Sequence, residues 1–234
     1  MARHVPRIYT ENLEGLEFEI PRSSSLHLVS VLRLRENDEF VAFNKESGEW
    51  QCVITKIKRQ DVWASKIKLL RENQEMPPLC LAFCLIKPDD AKLAVEKATE
   101  LGVTDIYPII SKFSYHSINL EKIRSVSIGS SEQSERLDVP TIHPTIQLTE
   151  FIKNLPENIL WISAVERMPE TKSLNEISMK DIACGFIIGP AGGFSDDEKK
   201  LLETKTTAVT ISRNILRAET AAIMCLAFYN AHNC

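Results

Sequence analysis

Two short segments hold the residues whose types and spacing could do chemistry. The first is Gly189-Pro190-Ala191-Gly192-Gly193-Phe194, preceded by the apolar run Cys184-Gly185-Phe186-Ile187-Ile188 and followed by Ser195-Asp196-Asp197-Glu198. A strand that ends in closely spaced glycines lets the backbone turn and approach a ligand, and Ser195 with Glu198 three residues on is a capping box that opens a helix. Ligands favour the carboxyl ends of parallel strands, so such a junction is a candidate binding site. The spacing is neither the dinucleotide fingerprint Gly-x-Gly-x-x-Gly nor a phosphate loop closing on Gly-Lys-Ser/Thr, and Asp196 with Asp197 would repel a pyrophosphate. By themselves these residues leave a plain tight turn equally open.

The second segment is Thr210-Ile211-Ser212-Arg213-Asn214-Ile215-Leu216-Arg217-Ala218-Glu219-Thr220-Ala221-Ala222. A strand is expected to end at Ile211, and a short polar loop to lead into an otherwise apolar helix whose first turn gathers Arg217, Glu219 and Thr220. Taken alone, Glu219 would complement the helix dipole and Arg217 would pair with it, an interaction worth less than about 1 kcal/mol on an exposed surface.

The elements that must position these segments are legible from periodicity. Residues 8–70 carry short apolar stretches with period-two alternation, such as Val53-Ile54-Thr55-Lys56-Ile57-Lys58, separated by polar turns such as Asn44-Lys45-Glu46-Ser47-Gly48, which predicts a small β-barrel or sandwich. One interruption, 23–34, places Leu26, Val29, Leu32 and Arg33 at helical spacing behind a serine-rich cap, and predicts a single helix crossing the barrel. The polar run from Arg71 that ends in Pro77-Pro78 marks a boundary. We divide the chain into a domain 1–73 and a domain 74–234. In the second, strands at 79–86, 103–110, 159–163, 185–189 and 208–211 alternate with helices at 90–101, 120–136, from 196 and from about 216. Such alternation predicts an α/β fold with a parallel sheet covered on both faces.

Composition narrows the function classes. With 234 residues and 44% apolar residues the chain can bury a sizeable core. No apolar run approaches a membrane span, and the first residues lack the apolar segment of a signal peptide, so a cytoplasmic protein with no membrane partner is expected. The six cysteines lie mostly in apolar runs and are read as reduced core thiols; no second Cys or His pair gives Cys80 and Cys84 the spacing of a zinc site, so no metal is expected. Net charge is −4 overall, yet residues 1–71 hold 12 Lys+Arg against 10 Asp+Glu. That excess is compatible with ordinary surface variation, or with an N-terminal part that faces phosphates.

Taken together and in order, the motifs resemble the RsmE family, uridine-N3 methyltransferases of small-subunit ribosomal RNA within the SPOUT superfamily. Gly-Pro-x-Gly-Gly-Phe-Ser-x-x-Glu is followed after about twenty residues by Ile215-Leu216-Arg217-Ala218-Glu219-Thr220-Ala221. Upstream, Lys97-Ala98-Thr99-Glu100-Leu101-Gly102-Val103, Glu132-Gln133-Ser134-Glu135-Arg136 and Val31-Leu32-Arg33 are similar to three further family segments, so the resemblance extends over nearly the whole chain. It implies a PUA-like barrel, then a SPOUT domain with a C-terminal trefoil knot, assembled as a homodimer. It implies S-adenosylmethionine held by three loops, here Ala164-Val165-Glu166, residues 188–193 and residues 211–216, through Ala164 and Val165, through Ile188, Gly189, Gly192 and Gly193, and through Ile211, Ser212, Asn214, Ile215 and Leu216.

Methyl transfer to uracil N3 requires alignment and removal of the N3 proton. Arg217 as stabiliser of the uracil anion, and Glu219 as proton acceptor or orienter of Arg217, are the expected catalytic residues; a purely structural role for both is the alternative. Arg3, Arg7, Arg33, Gln133 and Arg136 are the expected contacts to ribosomal RNA, within the small subunit, with Gln133 and Arg136 placed on one helical face. Two positions depart from the family: Ala191 stands where Glu is usual, and Ser212-Arg213-Asn214 where Gly-x-Arg is usual. If those two charges normally pair, losing both strands neither. The competing readings are a non-catalytic RNA-binding or ribosome-assembly relative, and a SPOUT methyltransferase with another RNA target.

Overall fold

A computed structural model describes residues 5–166 and 171–233. The chain forms two compact units: one contains the residues up to Glu75 together with Ser131–Val139, the other Met76–Ser130 and Pro140 onward. The return of 131–139 to the first unit is not visible in a linear division of the chain at 73/74.

The first unit is a five-stranded sheet in the order β1 (Arg7–Tyr9), β3 (Glu39–Asn44), β4 (Gly48–Lys58), β5 (Asp61–Arg71), β2 (Glu17–Glu19). β1 runs parallel to β3 and the other neighbours are antiparallel. Period-two alternation does what it predicts: Phe40 and Ala42, Cys52 and Ile54, Val62 and Ala64 all point into one core with Ile8, Phe18 and Ile20. The single helix expected over 23–34 is instead a five-residue helix α1 (Arg22–Leu26) that widens into a π-helical turn, His27–Val31. The expected serine cap does not form. Pro21 occupies the N-cap and the buried Ser25 hydroxyl donates back to the Ile20 carbonyl at 3.0 Å, while Arg33 at φ 58° ends the turn.

Within this unit the buried Glu49 sits between two guanidinium groups, Arg7 Nε at 2.6 Å and Arg71 Nε at 2.5 Å. Arg7 also covers the Phe43 ring at 3.6 Å and donates to the carbonyls of Ser131, at 2.9 Å, and Arg136, while Arg71 donates to that of Glu135 at 2.9 Å. These oxygens belong to the end of a helix and the turn after it, where carbonyls lack intrahelical donors. Tyr9 N–H donates to the Glu132 carboxylate at 2.9 Å.

The second unit carries a sheet ordered β11 (Lys172–Ser173), β13 (Thr207–Thr210), β10 (Leu160–Ala164), β12 (Cys184–Ile188), β6 (Leu79–Cys84), β7 (Asp105–Ile110), β8 (Thr141–Ile142), with β9 (Ile146–Gln147) also on β7. All these pairings are parallel. β6 is buried along its whole length, and its residues divide by parity between two cores. Leu79, Leu81 and Phe83 pack with α2 (Pro88–Glu100), α3 (Leu120–Gln133) and α6 (Ala218–Asn233); Cys80, Ala82 and Cys84 pack with α4 (Leu148–Lys153) and α5 (Asp196–Glu203). Helices cover both faces, as strand–helix alternation requires. Among the described residues Cys52, Cys80, Cys84, Cys184 and Cys225 are free and buried, and burial pushes each thiol up to about 12, so they are inert packing groups. Cys234 lies outside the described residues. No described helix is long and apolar enough to cross a membrane.

Burial raises the Glu49 carboxyl's pKa, but the hydrogen bonds from Arg71 and Arg7 outweigh it and hold the group below the ordinary carboxylate range. Its contribution to stability is therefore present at neutral pH and is lost as pH falls through that range. Glu49→Gln is expected to destabilise the protein by on the order of 2 kcal/mol at pH 7, because it leaves two guanidinium groups facing each other. The difference from wild type in urea denaturation should shrink toward pH 3; a pH-independent difference would rule out the ionic origin.

Candidate functional site

The register of three neighbouring strands builds the site. On β10, Ala164 lies beside Ile188 of β12 and beside Val209 of β13, so all three strands finish at one level. The loops that follow therefore emerge side by side at the carboxyl edge. Together they enclose a cavity of about 820 Å³, within the size range of small-molecule sites. Ala164 and Val165, then Ile188, Gly189, Gly192 and Gly193, and then Ile211, Ser212, Asn214, Ile215 and Leu216 all line it. The two segments singled out by residue type are thus brought to one place, with a third loop between them.

Local chemistry holds each loop in shape. After β12 the chain turns through Gly193 at φ 72°, a conformation that L side chains resist, and its N–H returns to the Pro190 carbonyl at 2.8 Å. Gly189 and Gly192 leave room for rings: a Cβ on them would stand 2.9 Å from Phe194 and 3.0 Å from Phe113. The capping box expected at Ser195 opens α5. Glu198 accepts from the Ser195 N–H at 2.8 Å and, with its other oxygen, from Lys112 N–H at 2.8 Å, so one carboxylate joins the β12 and β7 loops. The 211–216 loop is held by Asn214 N–H to Ser212 Oγ at 3.1 Å, and by Leu216 N–H to Glu166 Oε1 at 3.3 Å, which crosses from the β13 loop to the β10 loop.

Several lining residues were not singled out by sequence as binding residues. Thr210, Ala218 and Ala221 flank the loops expected to bind, and Pro190 sits inside the glycine motif. Lys199 arrives from α5, where helical periodicity presents it as an ordinary surface position. Glu166 and Arg213 lie within the loops expected to hold the cofactor, though neither was named as a binding residue. Among the described residues these three carry all the formal charge of the lining, one carboxylate against two cations. Ala191 and Asn214, the two departures from the family pattern, also line this cavity, from different loops.

The expected catalytic pair is divided by the structure. Arg217 lies immediately before α6, exposed, and is not part of the cavity lining; its carbonyl accepts the Ala221 N–H at 2.8 Å. Glu219 is 7% exposed in the first turn of α6, where the helix dipole favours a carboxylate. No ion pair joins the two among the described residues, so Glu219 does not orient the Arg217 guanidinium by direct contact. Of the expected RNA contacts, Arg33 and Gln133 are exposed. Arg7, with a side chain 8% exposed, is enclosed around Glu49, and Arg136 pairs with Asp138 at 2.8 Å. Gln133 and Arg136 do not share a helical face: α3 ends at Gln133 and Glu135 turns at φ 58°, releasing Arg136 from the helix. Arg3 lies outside the described residues. No described group of three or more His, Cys, Asp or Glu side chains could hold a metal.

A family model for an RNA methyltransferase domain matches residues 73–230, and one for an RNA methyltransferase PUA domain matches 20–67. Fold, loop cavity and domain order define the class: this is an RNA methyltransferase, with a PUA-like sheet ahead of a SPOUT-type parallel-sheet domain. The chain is 35% identical over 229 residues to the ribosomal RNA small subunit methyltransferase E of Rickettsia conorii, covering 94% of this chain and 93% of that one. It belongs to that family, RsmE. The Neisseria gonorrhoeae member, crystallised with S-adenosylmethionine, superimposes with a TM-score of 0.87 at 28% identity, covering 97% of this chain and 98% of that one. A Legionella pneumophila protein solved with the same cofactor gives 0.87 at 26% identity, with 99% of each chain covered.

The Glu198 carboxylate is the tie most exposed to test. Glu198→Ala is expected to lower stability by about 1–2 kcal/mol, from loss of the cap and of the Lys112 bond. Urea denaturation measures it, and a change within error would mean that water replaces both bonds.

Proposed function

We propose that this chain transfers a methyl group from S-adenosylmethionine to N3 of a uridine in small-subunit ribosomal RNA. The observation that carries the reading is the single cavity formed where β10, β12 and β13 end together, in a chain of this family. Its lining suits an adenosyl amino acid. Ile188, Ile211 and Leu216 offer apolar surface, three loop backbones offer donors and acceptors, and Glu166, Lys199 and Arg213 offer partners for a zwitterionic end. When bound, S-adenosylmethionine supplies an electrophilic methyl group on a sulfonium.

The chain's own residues then have two tasks. The loops hold the donor at the carboxyl edge in one orientation, which an in-line displacement demands. Arg217, exposed at the start of α6, stabilises the negative charge that uracil acquires as its N3 proton departs. Glu219, buried one residue beyond the helix start, acts through the helix as a positioning residue for Arg217. Ala191 and Asn214 leave the cavity without the charge pair usual in the family but strand neither partner, so activity is retained. Arg33 and Gln133 meet the RNA from the first unit. A trefoil threading of the C-terminal segment, a homodimer using exposed apolar groups such as Ile215 and Met224, and a cytoplasmic site of action on the small subunit belong to the same proposal.

The test is primer extension on small subunits from a strain lacking this protein, after incubation with S-adenosylmethionine, because an N3 methyl group blocks the Watson–Crick edge. A new stop is expected with wild type. Arg217→Ala should slow its appearance by roughly 100-fold while leaving calorimetric affinity for S-adenosylmethionine within about twofold, since the residue lies outside the cavity lining. No stop with wild type, or equal rates with the variant, would count against the proposed chemistry; failure of wild type to bind the cofactor would favour a non-catalytic RNA-binding relative.

A further inference from the structure

We propose that Glu166 lets the cavity discriminate a cationic methyl donor from its neutral product, and so biases the site toward product release. The inference rests on the cofactor reading above. Three observations carry it. Among the described residues Glu166 is the sole carboxylate lining the cavity, where Lys199 and Arg213 are the cations. Lys199 stands 3.8 Å from Asp196 of its own helix, whereas Glu166 makes no ion pair among the described residues. Glu166 is also held in place, because its Oε1 accepts the Leu216 N–H at 3.3 Å from across the cavity mouth. That leaves Oε2 as a fixed negative group with no hydrogen-bond partner among the described residues.

The ligand's charge changes during turnover. S-adenosylmethionine carries a carboxylate, an ammonium and a sulfonium, hence one net positive charge. In transfer the S–CH3 bond breaks with its electron pair retained on sulfur, the N3–CH3 bond forms, and the N3 proton leaves to solvent. S-adenosylhomocysteine is therefore net neutral. A fixed carboxylate within several ångströms distinguishes the two by roughly fivefold to tenfold in affinity, at the effective dielectric of a partly exposed site. Ammonium and carboxylate are common to both ligands and cancel in the comparison. Sinefungin, which places an amine near the position of the sulfonium methyl, follows the donor.

Two variants separate charge from bracing. Glu166→Gln keeps an oxygen acceptor for Leu216 N–H but removes the charge; Glu166→Asp keeps the charge but shortens the reach to that N–H. Calorimetry with S-adenosylmethionine, sinefungin and S-adenosylhomocysteine reads the outcome without turnover. In Glu166→Gln the ratio of product to donor dissociation constants is expected to fall by roughly fivefold to tenfold, with sinefungin tracking the donor, and in Glu166→Asp to stay near wild type. Added salt should lower the wild-type ratio, whereas in the Gln variant, where only Lys199 and Arg213 remain to act on the sulfonium, it should not lower it. Equal weakening of all three ligands in Glu166→Gln, or weakening confined to Glu166→Asp, would make Glu166 a strut between loops and overturn the proposal. If wild type binds none of the three, the cofactor reading itself falls and this inference falls with it.

Discussion

Three parallel strands that end at the same level govern the rest of this structure. Parallel pairing obliges every strand of the sheet to release its chain at one edge, and the register that sets Ala164 beside both Ile188 and Val209 makes three of those releases adjacent. Each loop contributes few side chains, and much of what it offers is backbone. That suits a ligand with an apolar base, a polar edge and a zwitterionic tail. The glycines follow from the same crowding: loops emerging side by side need a left-handed turn at Gly193 and close approach of Phe194 and Phe113.

Charge is placed with different logic in the two units. In the first, Glu49 and its two arginines form one network, Arg7 buried and Arg71 at its exposed edge, both reaching the carbonyls at the end of α3 and the turn that follows. Such a network is costly to break, and its buried members Arg7 and Glu49 are already paired. In the second, the charged lining residues Glu166, Lys199 and Arg213 stand at loops or at a helix start, where a ligand can complete their pairing. The difference between the buried Arg7 and the exposed Arg213 is thus a matter of enclosure, and residue type alone does not reveal it.

The start of α6 sets an exposed and a buried charge within three residues. Arg217 is exposed and Glu219 is buried, although they stand only two positions apart, because Arg217 precedes the helix while Glu219 lies in its first turn. A sequence motif that groups them does not by itself put them in the same environment. Ala191 and Asn214 show the converse: far apart in the chain, they line one cavity from different loops. The paired departure from the family pattern is therefore local to one site.

Much of the second unit was legible in the sequence because its signals are local. Apolar runs such as Leu79–Cys84 read as strands buried on both faces, the Ser195–Glu198 capping box marks a helix start within one turn, and Pro77-Pro78 marks the break in texture before β6. The ordered motifs pointed to the family and to the three ligand loops, which the register of the sheet assembles. What the sequence could not decide depends on partners distant along the chain. Arg7 pairs with Glu49 and caps the turn near Arg136, more than a hundred residues away; Lys199 reaches the cavity because α5 packs against β13; the helix expected at 23–34 gives way to a π-turn because Pro21 and Ser25 set its start and Arg33 its end. Periodicity and capping chemistry act over a few residues and can be read along the chain, whereas enclosure of a charge and convergence of loops are properties of packing, and only the tertiary structure decides them.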